Sequence, residues 1–391
     1  MAKRTLDAFF KPTNPPPNPI SPIPTSTPKR PKTEETQATL KPTISPAPQP
    51  TALEDQIPPT THPSYPIPIA NLPTHIQVGL EHATPARPPR EQKNQPDLDL
   101  LYYQPYIPKE TANELFKFLR RELPFYRVQY KARRGDIETQ INTPRYTTVF
   151  GVDETGKFRE DKNNNHNDTN NDTNNDNDNN PKITLIETKT SLPPPKHKYK
   201  QPPRPIPPCL DILRQQVEKA NNMRETESYN FCLVNYYASG EDSIAFHSDD
   251  ERFLGSEPNI ASLSLGGERD FLMKHKPYAP VQIPIQRGES TTGDVGRTLV
   301  RPQEQIKMGL NSGDMVVMRG ATQANWLHSI PKRKGKAGEM TRGRINITFR
   351  RAVVPAGTNN YYHYNVGEGG MYRWDEVSRR MVEQGKAADA S

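Results

Sequence analysis

Proline is concentrated at the amino-terminal end of the chain, and this restricts which residues can build a core. The chain has 391 residues and 43 prolines, of which 23 lie in the first hundred residues. Residues 1–97 consist largely of Pro, Thr, Ser and Gln. Such a composition buries too little apolar surface to offset the entropy lost on ordering. We therefore predict a disordered arm over residues 1–97 and one sizeable folded domain after it.

Composition also excludes several classes of protein. Only 32% of the residues are hydrophobic, and no apolar run approaches the ~18 residues needed to span a bilayer. We therefore expect no membrane association, and because the amino terminus lacks the apolar segment of a secretory signal, we expect no signal peptide. Cys209 and Cys232 are too few for a disulfide framework or a cysteine-rich zinc site, and they favour a reducing compartment. The net charge of +7 is compatible with an anionic partner such as nucleic acid, and we expect a monomer.

Apolar spacing predicts helices first and short strands afterwards. Apolar side chains recur at helical intervals over residues 109–123 and 210–221. Alternation over 126–152, around a central Arg-Arg-Gly-Asp, predicts a hairpin. This order favours an α+β domain with an antiparallel sandwich or barrel. Further strands are expected at 231–237, 260–265, 269–273, 315–318 and 345–349.

Several connecting segments are expected to have no regular structure. Residues 160–180 are almost entirely Asn and Asp, which indicates a disordered surface insertion. Residues 276–308 are polar without a clear pattern and are predicted to form a long loop. The last segment, 355–391, is interpreted as a carboxy-terminal extension, with an aromatic run at 361–364 and a short helix over 374–384.

One triplet carries metal-binding chemistry. His247 and Asp249 lie two residues apart at the end of a predicted strand, so both side chains point to one face. A third ligand from a later histidine would complete the two-histidine, one-carboxylate triad of non-heme Fe(II) oxygenases. His275, His328 and His363 are the candidates. His328 is the best placed because it lies between two predicted strands.

A later strand carries two arginines on one face. Arg344, Asn346, Thr348 and Arg350 alternate along the predicted strand and therefore share one side of it. Guanidinium groups bind carboxylates through paired hydrogen bonds. Two of them on one strand face suit a dicarboxylate.

The order of these blocks resembles the AlkB family of Fe(II)- and 2-oxoglutarate-dependent nucleic-acid demethylases. The resemblance is to the eukaryotic alkylation-repair members, and within them to the branch that favours single strands. It covers roughly residues 99–354, so we place the catalytic domain at 98–354. The blocks that carry the resemblance are Asn235-Tyr236-Tyr237, 247–251, 260–266, 320–326, His328 and 344–350.

The resemblance implies a fold and two binding sites. It implies a double-stranded β-helix (jelly-roll) core with flanking helices. It implies iron ligation by His247, Asp249 and His328. Arg350 would pair with the distal carboxylate of 2-oxoglutarate, and Asn235 and Arg344 would hold the end near the metal. The full set of co-substrate residues would be Asn235, Tyr237, Arg344, Asn346, Thr348 and Arg350.

The resemblance also implies a reaction. Fe(II), 2-oxoglutarate and dioxygen would demethylate 1-methyladenine and 3-methylcytosine in DNA oxidatively, releasing formaldehyde. Asp250, with Glu251 beside it, would read the exocyclic amino group of the base, since an ionised carboxylate only accepts hydrogen bonds. The alternatives are an RNA demethylase with the same chemistry, a protein hydroxylase and a binding protein that retains the fold.

Contacts with the nucleotide are expected before the core. Arg133, Arg134 and Arg145 are predicted to contact phosphates, and Tyr146 or Tyr199 to stack on a flipped base. For each of them the alternative is a solvated arginine or a packed tyrosine. A basic loop over residues 332–336 is either a further phosphate contact or merely solvated.

The first ten residues differ from the rest of the arm. Residues 3–10 resemble a PCNA-interacting peptide, although Lys3 stands where that motif has glutamine. Leu6, Phe9 and Phe10 would lie on one side of a single helical turn and fill an apolar pocket of the partner. Together with a basic cluster at 28–32, this segment leads us to expect a nuclear enzyme.

Overall fold

The architecture is that of a computed structural model. It describes residues 58–384 apart from 84, 86, 135–136, 162–181, 278–280, 283–297, 300–303, 334–342 and 368. The predicted PCNA-interacting peptide, the basic cluster at 28–32 and nearly all of the Asn/Asp insertion lie outside these residues. No helix within the described part of the chain is long and apolar enough to cross a membrane.

Three longer helices and several short ones are present in the described residues. The helix predicted over 109–123 is present as Lys109–Glu122, and that over 210–221 as Pro208–Ala220. Short 3-10 turns occur at Glu225–Glu227 and Arg252–Leu254, and a π-helical turn at His363–Gly367. The α-helices are α1 (Thr74–Glu81), α2 (Lys109–Glu122), α3 (Pro208–Ala220), α4 (Thr322–Asn325) and α5 (Asn359–Tyr362).

The strands are short and are joined mainly by turns. The hairpin predicted within 126–152 is present as β4 and β5. All strands within the described residues are β1 (Arg90–Gln92), β2 (Leu100–Tyr103), β3 (Phe125–Arg127), β4 (Gln129–Arg134), β5 (Ile137–Asn142), β6 (Tyr146–Gly151), β7 (Gly156–Asp161), β8 (Lys182–Glu187), β9 (Phe231–Tyr237), β10 (Ile244–His247), β11 (Ile260–Gly266), β12 (Arg269–His275), β13 (Val281–Gln282), β14 (Thr298–Leu299), β15 (Ile306–Leu310), β16 (Met315–Met318), β17 (Trp326–Ile330), β18 (Arg344–Arg350), β19 (Gly370–Asp375) and β20 (Arg380–Gln384).

Two antiparallel sheets face each other. The larger has the order β1-β2-β16-β11-β18-β9-β6-β3-β19-β20, and the smaller has the order β10-β17-β12-β15. Side chains of alternate residues point to opposite faces of a strand. One face of the larger sheet therefore meets the smaller sheet, and its other face meets the helices. The prediction of an antiparallel sandwich with helices on one side is confirmed at this level.

Two apolar layers hold the domain together. Between helices and sheet, Leu115 and Leu119 of α2 and Leu213 of α3 pack with Val234 and Ile347 of the central strands. Between the two sheets lies a second layer, made of Leu233, Val316 and Met318 from one sheet and Phe271, Met273 and Trp326 from the other. Full burial of one such aliphatic side chain contributes about 1.5–3 kcal/mol. The two layers fix the central strands that carry the functional side chains.

The prediction of disorder up to residue 97 is wrong for the described residues between 58 and 97. Tyr65, Ile69 and Leu72 are buried in the helix-side core, and so are Ile76 and Leu80 of α1. The Tyr65 hydroxyl donates to the Pro205 carbonyl at 2.6 Å. The prediction relied on the low average hydrophobicity of this segment. The segment nevertheless contains a few apolar residues that are spaced so that they pack together against the core. The compact unit that contains the two sheets therefore includes the residues from Pro58 onward.

The prediction of a helix over 374–384 is also wrong. Residues in this range form the antiparallel hairpin β19–β20, and β19 pairs with β3 at the edge of the larger sheet. The turn is set locally, because the Asp375 carboxylate accepts the Ser378 N–H at 2.6 Å and Arg379 adopts a left-handed φ of 51°. A carboxylate that accepts a backbone N–H near itself favours a turn over a helix interior.

The loop predicted over 276–308 contains more structure than expected. Its described residues include the two-residue strands β13 and β14, which pair with each other, and the start of β15. Ile306, Met308 and Leu310 of β15 are apolar at alternate positions, and Met308 and Leu310 are buried. The overall polarity of the segment hid this strand-like alternation from the prediction.

Candidate active site

The predicted iron ligands converge at the ends of two paired strands. His247 is the last residue of β10 and lies opposite His328 of β17, beside an irregularity in the strand register. Their rings are 4.2 Å apart between centroids. Asp249 follows two residues later, and the ligand atoms of all three side chains lie within 4.8 Å of one another. Two imidazoles and one carboxylate at this separation suit a single divalent metal ion.

Local hydrogen bonds orient these side chains. Nδ1 of His247 is 2.8 Å from the Ala245 carbonyl, which leaves Nε2 for a metal. The Asp249 backbone N–H donates to Oε1 of the buried Gln323 at 2.9 Å, so α4 holds the turn that carries the carboxylate. Ligand geometry is thus supported by groups outside the triad itself.

Burial sets the charge state of the triad. It lowers the pKa of His247 to about 3, with a further contribution from His328, and it also lowers the pKa of His328. Burial is the largest effect on Asp249 and opposes its ionisation, but the charge and hydrogen bond of Arg350, together with His328 and His247, outweigh burial and hold the pKa of that carboxyl below its ordinary value. The three groups are therefore two neutral imidazoles and one carboxylate, which are the forms that bind a metal.

The other two candidate histidines lie elsewhere. His275 ends β12, and its Nε2 is 3.1 Å from Oδ2 of Asp97. His363 begins the π-helical turn near the carboxy terminus. Neither belongs to a metal-capable group of side chains within the described residues.

A pocket beside the triad collects the predicted co-substrate residues. The odd-numbered positions of β9 and the even-numbered positions of β18 face the smaller sheet. The pocket is lined by Asn235, Tyr237, Ile244, His247, Asp249, Ser262, Phe271, Met318, His328, Ile330, Arg344, Asn346, Thr348 and Arg350. All six residues that the resemblance assigned to 2-oxoglutarate are among them.

Arg344 and Arg350 lie at opposite ends of this pocket, in the reverse of the predicted order. Nη2 of Arg350 is 2.9 Å from Oδ1 of Asp249, so this arginine lies at the metal end. Arg344 lies at the other end of β18, where it pairs with Tyr237. Six residues, or roughly 20 Å of strand, separate the Cα atoms of Arg344 and Arg350. Arg344 is therefore the residue placed for a carboxylate distant from the metal, and Arg350 for the near one.

Arg344 is a buried cation with unused hydrogen-bond donors. Its Nη2 donates to the Ser264 hydroxyl at 2.8 Å, and its guanidinium lies 5.3 Å from the Tyr237 ring centroid. Burial lowers its pKa to about 10, so it remains charged at neutral pH. Its Nε and Nη1 have no hydrogen-bond partner among the described residues. Buried donors of this kind call for an acceptor, and a carboxylate supplies one.

One predicted nucleotide contact, Tyr146, is misassigned, and a second, Arg145, has a partner on the pocket wall. Tyr146 pairs with Tyr236, so its side chain points to the helices, where it packs 6.2 Å from the Tyr236 ring. It is 8% exposed and cannot stack on a base in the pocket. Arg145, one position earlier, has the opposite orientation, and its Nε donates to Oδ1 of Asn235 at 3.1 Å. A one-residue shift in register exchanges the two faces, which sequence alone did not resolve.

The remaining predicted substrate residues lie near the triad or beside the β7–β8 hairpin. Asp250 is exposed, and its Oδ2 is 2.8 Å from Nζ of Lys276. Glu251 is turned inward, and burial together with the charge of Asp249 raises its pKa to about 7. The Tyr199 hydroxyl donates to Asp153 at 3.1 Å. In the basic loop, Nζ of Lys332 is 3.2 Å from Oε2 of Glu241 at the surface.

One residue of the site was not predicted at all. The Tyr361 hydroxyl lies between Glu251 and Arg350, and donates to the former at 2.6 Å while accepting from the latter at 2.9 Å. The aromatic run at 361–364 is visible in the sequence, but nothing local indicates where it packs. The contact joins residues 110 positions apart.

The chain belongs to the 2OG-Fe(II) oxygenase superfamily, whose model matches residues 99–350. The resemblance to the AlkB family is also confirmed by relatives. The chain is 39% identical over 150 residues to the DNA oxidative demethylase ALKBH2 of Arabidopsis thaliana, and 36% identical over 143 residues to the alpha-ketoglutarate-dependent dioxygenase alkB homolog 3 of Mus musculus. These matches cover 37% of this chain, and 43% and 42% of those relatives respectively.

Membership implies Fe(II), 2-oxoglutarate and dioxygen, and the residues present fit them. Two neutral imidazoles and a carboxylate are the donor set of non-heme Fe(II) oxygenases. The unpartnered donors of Arg344, together with the unpartnered Nε of Arg350, suit the two carboxylates of 2-oxoglutarate.

Proposed function

We propose that this chain is an alkylated-DNA repair dioxygenase, which demethylates 1-methyladenine and 3-methylcytosine oxidatively and releases formaldehyde. The observation that carries this proposal is what surrounds the triad. The triad lines a pocket with two buried arginines, and the carboxyl groups of Asp250 and Glu251 follow Asp249 directly in the chain. A metal ligated by His247, Asp249 and His328 would contact both.

The facing antiparallel sheets support a more specific fold assignment. The central strands of the larger sheet lie opposite β10, β17, β12 and β15, and the site lies between the two sheets. We assign this sandwich as a double-stranded β-helix (jelly roll). The helices pack on its outer face, and the segment beyond residue 354 adds β19 and β20 to the larger sheet.

The residues of the chain contribute placement and electrostatics. Iron(II) held by the triad would use dioxygen to oxidise the N-methyl carbon while 2-oxoglutarate is decarboxylated to succinate. Arg344 would bind the distal carboxylate of 2-oxoglutarate, and Arg350, which is paired with Asp249, would bind the other carboxylate. Asn235, Tyr237, Asn346 and Thr348 line the wall between them. Phe271 and Ile330 exclude water from the pocket on the side of the smaller sheet.

The methylated base enters from the side of Asp250. The carboxylate of Asp250 accepts hydrogen bonds only, which suits the exocyclic amino group of adenine or cytosine. A methyl group at N1 of adenine or N3 of cytosine lies on the pairing edge, so the base must be unpaired or flipped out of a duplex. In that position Lys276, now paired with Asp250, would be displaced toward the phosphates.

DNA is favoured over RNA by the amino-terminal segment. Leu6, Phe9 and Phe10 suit a PCNA partner, which would direct the enzyme to replicating DNA in the nucleus. We propose that it acts there as a monomer. An RNA demethylase is the second candidate, because a site that accepts an unpaired base accepts either polymer. A protein hydroxylase is disfavoured by the exposed Asp250 beside the metal site.

A direct assay tests the reaction. The purified protein is incubated with Fe(II), 2-oxoglutarate, ascorbate and single-stranded DNA or RNA oligonucleotides that carry 1-methyladenine or 3-methylcytosine. Oligonucleotide mass and succinate are measured together, with His247→Ala as the inactive control. We expect methyl loss coupled to succinate, and faster turnover on DNA.

Other outcomes separate the alternatives. Faster turnover on RNA would assign the enzyme to RNA. Succinate without methyl loss would indicate an oxygenase with another substrate, such as a protein side chain. Neither product would indicate a binding protein.

A further inference from the structure

The carboxy-terminal extension reaches the active site. The matched family segment ends at Arg350, and Tyr361 lies eleven residues beyond it. The Tyr361 hydroxyl accepts from Nη1 of Arg350 at 2.9 Å and donates to Oε1 of Glu251 at 2.6 Å. One hydroxyl thus links the arginine at the metal end of the co-substrate pocket to Glu251, a residue that the sequence predicts to contact the substrate.

Tyr361 is held firmly enough to orient its neighbours. Its ring packs against Phe231 and Phe253, with centroids 5.3 Å and 5.8 Å away. The backbone carbonyl of Tyr361 accepts from Nδ2 of Asn365 at 2.7 Å, and the side chain of Asn365 accepts a hydrogen bond from Thr147 on β6. The hydroxyl is therefore fixed from both its ring and its backbone.

The adjacent Tyr362 anchors the same segment to the sheet. It is fully buried, and its hydroxyl donates to the Gly151 carbonyl at 2.7 Å and accepts from the Arg204 backbone N–H at 3.0 Å. These partners lie outside the pocket. The two tyrosines thus have different roles. Tyr362 bonds the extension to β6, and Tyr361 places its hydroxyl in the site.

Arg350 needs such a partner. Its Nη2 faces Asp249 and its Nη1 faces Tyr361, while its Nε has no hydrogen-bond partner in the described part of the chain. A guanidinium is planar, so fixing two of its nitrogens fixes the direction of the third. A pre-oriented donor binds its acceptor more tightly because less side-chain freedom is lost.

We propose that Tyr361 is a positioning residue that orients Arg350 for the metal-side carboxylate of 2-oxoglutarate, and that the extension beyond the family segment therefore completes the co-substrate site. This inference rests on the proposed function only for its use of 2-oxoglutarate, and not for its nucleic-acid substrate.

Tyr361→Phe removes the hydroxyl and keeps the ring. Binding of 2-oxoglutarate is measured by calorimetry on the full chain loaded with Mn(II), which replaces Fe(II) without turnover. We expect the dissociation constant to rise about tenfold, the amount associated with losing one hydrogen bond to a charged group. In the oxygenase assay KM for 2-oxoglutarate should rise similarly, while kcat at saturating 2-oxoglutarate changes less than about twofold, because the lost interaction serves binding and not the chemical step.

Tyr362→Phe is the matched control, since it removes a buried hydroxyl from the neighbouring residue. It should lower the unfolding midpoint without changing the dissociation constant of 2-oxoglutarate. Unchanged affinity in Tyr361→Phe, or an equal rise in both variants, would overturn the inference. If the wild-type chain binds 2-oxoglutarate but demethylates no oligonucleotide, the proposed substrate fails while the binding comparison still decides the role of Tyr361.

Discussion

Arg350 and Asp249 form an almost completely buried ion pair, with Nη2 2.9 Å from Oδ1 and side chains that are 4% and 5% exposed. The pair joins a predicted metal ligand to a predicted co-substrate arginine, so the two binding sites share a contact. Burial is the largest effect on Arg350 and opposes its charge, but Asp249, Tyr361 and Glu251 together outweigh burial and raise the pKa of the guanidinium. The arginine is thus charged and aligned before 2-oxoglutarate binds.

We predict that Arg350→Lys raises KM for 2-oxoglutarate about 10- to 100-fold. A lysine keeps the charge but loses the planar fork that contacts several acceptors at once. Steady-state kinetics with varied 2-oxoglutarate measure this change. Arg351→Lys is the control, because Arg351 forms a partly exposed pair with Glu154 at 2.7 Å. An equal effect in both variants would exclude a specific role for Arg350.

We predict that His247→Ala loses tight binding of one divalent metal ion and all turnover, while the domain remains folded. The side chain is a ligand at the edge of the sandwich and not part of either apolar core. Metal stoichiometry after dialysis and circular dichroism measure these two properties. His363→Ala should retain the metal, since His363 lies in the carboxy-terminal π-helical turn. A metal-bound, active His247→Ala protein would exclude the assigned triad.

The ligands and the arginine-bearing strand could be predicted from sequence because both depend on local spacing. His247 and Asp249 share a face through the two-residue period of a strand, and the same period places Arg344 and Arg350 on one side. Which arginine lies near the metal could not be predicted, since it depends on how β18 runs relative to β10. The register that turns Tyr146 away from the pocket is also non-local.

Contacts between distant segments escaped prediction for a related reason. The segment after Pro58 is rich in proline, and its buried residues are too sparse to raise the average hydrophobicity. Tyr361 belongs to the site through bonds to Glu251 and Arg350, which no sequence pattern near Tyr361 indicates. In both cases the stabilising contacts are made with surfaces that distant segments of the chain build together.

We predict that Arg145→Gln weakens 2-oxoglutarate binding about fivefold and leaves the salt dependence of oligonucleotide binding unchanged. Arg145 contacts Asn235 on the pocket wall, so its loss disturbs the co-substrate site. Loss of a phosphate contact would instead reduce the slope of log affinity against log salt by about one. Arg133→Gln, near the end of β4 in the hairpin that we expect to meet the DNA backbone, should show that reduction. A smaller slope in Arg145→Gln would restore its assignment to phosphate.

We predict that Asp242→Asn makes stability less dependent on pH. Burial raises the pKa of Asp242 above its ordinary value of 3.8, although its carboxylate accepts the Ala238 N–H at 2.7 Å. The folded state therefore binds more protons than the unfolded state just above pH 3.8, and this contribution to stability is lost as the pH rises through the folded pKa.

The asparagine variant keeps an acceptor for Ala238 and has no charge to bury. Its unfolding midpoint in urea should exceed that of the wild-type chain at pH 7, and the difference should shrink toward pH 4. Glu241→Gln, at the exposed neighbouring position, should leave the urea midpoint unchanged at both pH 7 and pH 4. A lower midpoint for Asp242→Asn at pH 7 would show that nearby arginines stabilise the carboxylate more than burial opposes it.

We predict that Asp250→Asn raises KM for the methylated oligonucleotide about tenfold and leaves the affinity for 2-oxoglutarate unchanged. The carboxylate accepts from an exocyclic amino group with both oxygens, whereas an amide presents an N–H₂ toward one of them. A mismatched donor in a binding site costs about the free energy of one hydrogen bond. A loss of about 1.4 kcal/mol corresponds to a tenfold loss of affinity.

The Lys276 pair provides a second arm for this prediction. Lys276→Met removes the ammonium group whose Nζ is paired with Oδ2 of Asp250 at 2.8 Å. If the base displaces Lys276 to reach the carboxylate, this variant binds the oligonucleotide at least as well at high salt, where the phosphate attraction of a lysine is screened. Asp270→Asn, in the exposed pair with Lys307, controls for loss of surface charge. A wild-type KM in Asp250→Asn would mean that the base is recognised by its shape and stacking, and that Asp250 serves only to hold Lys276.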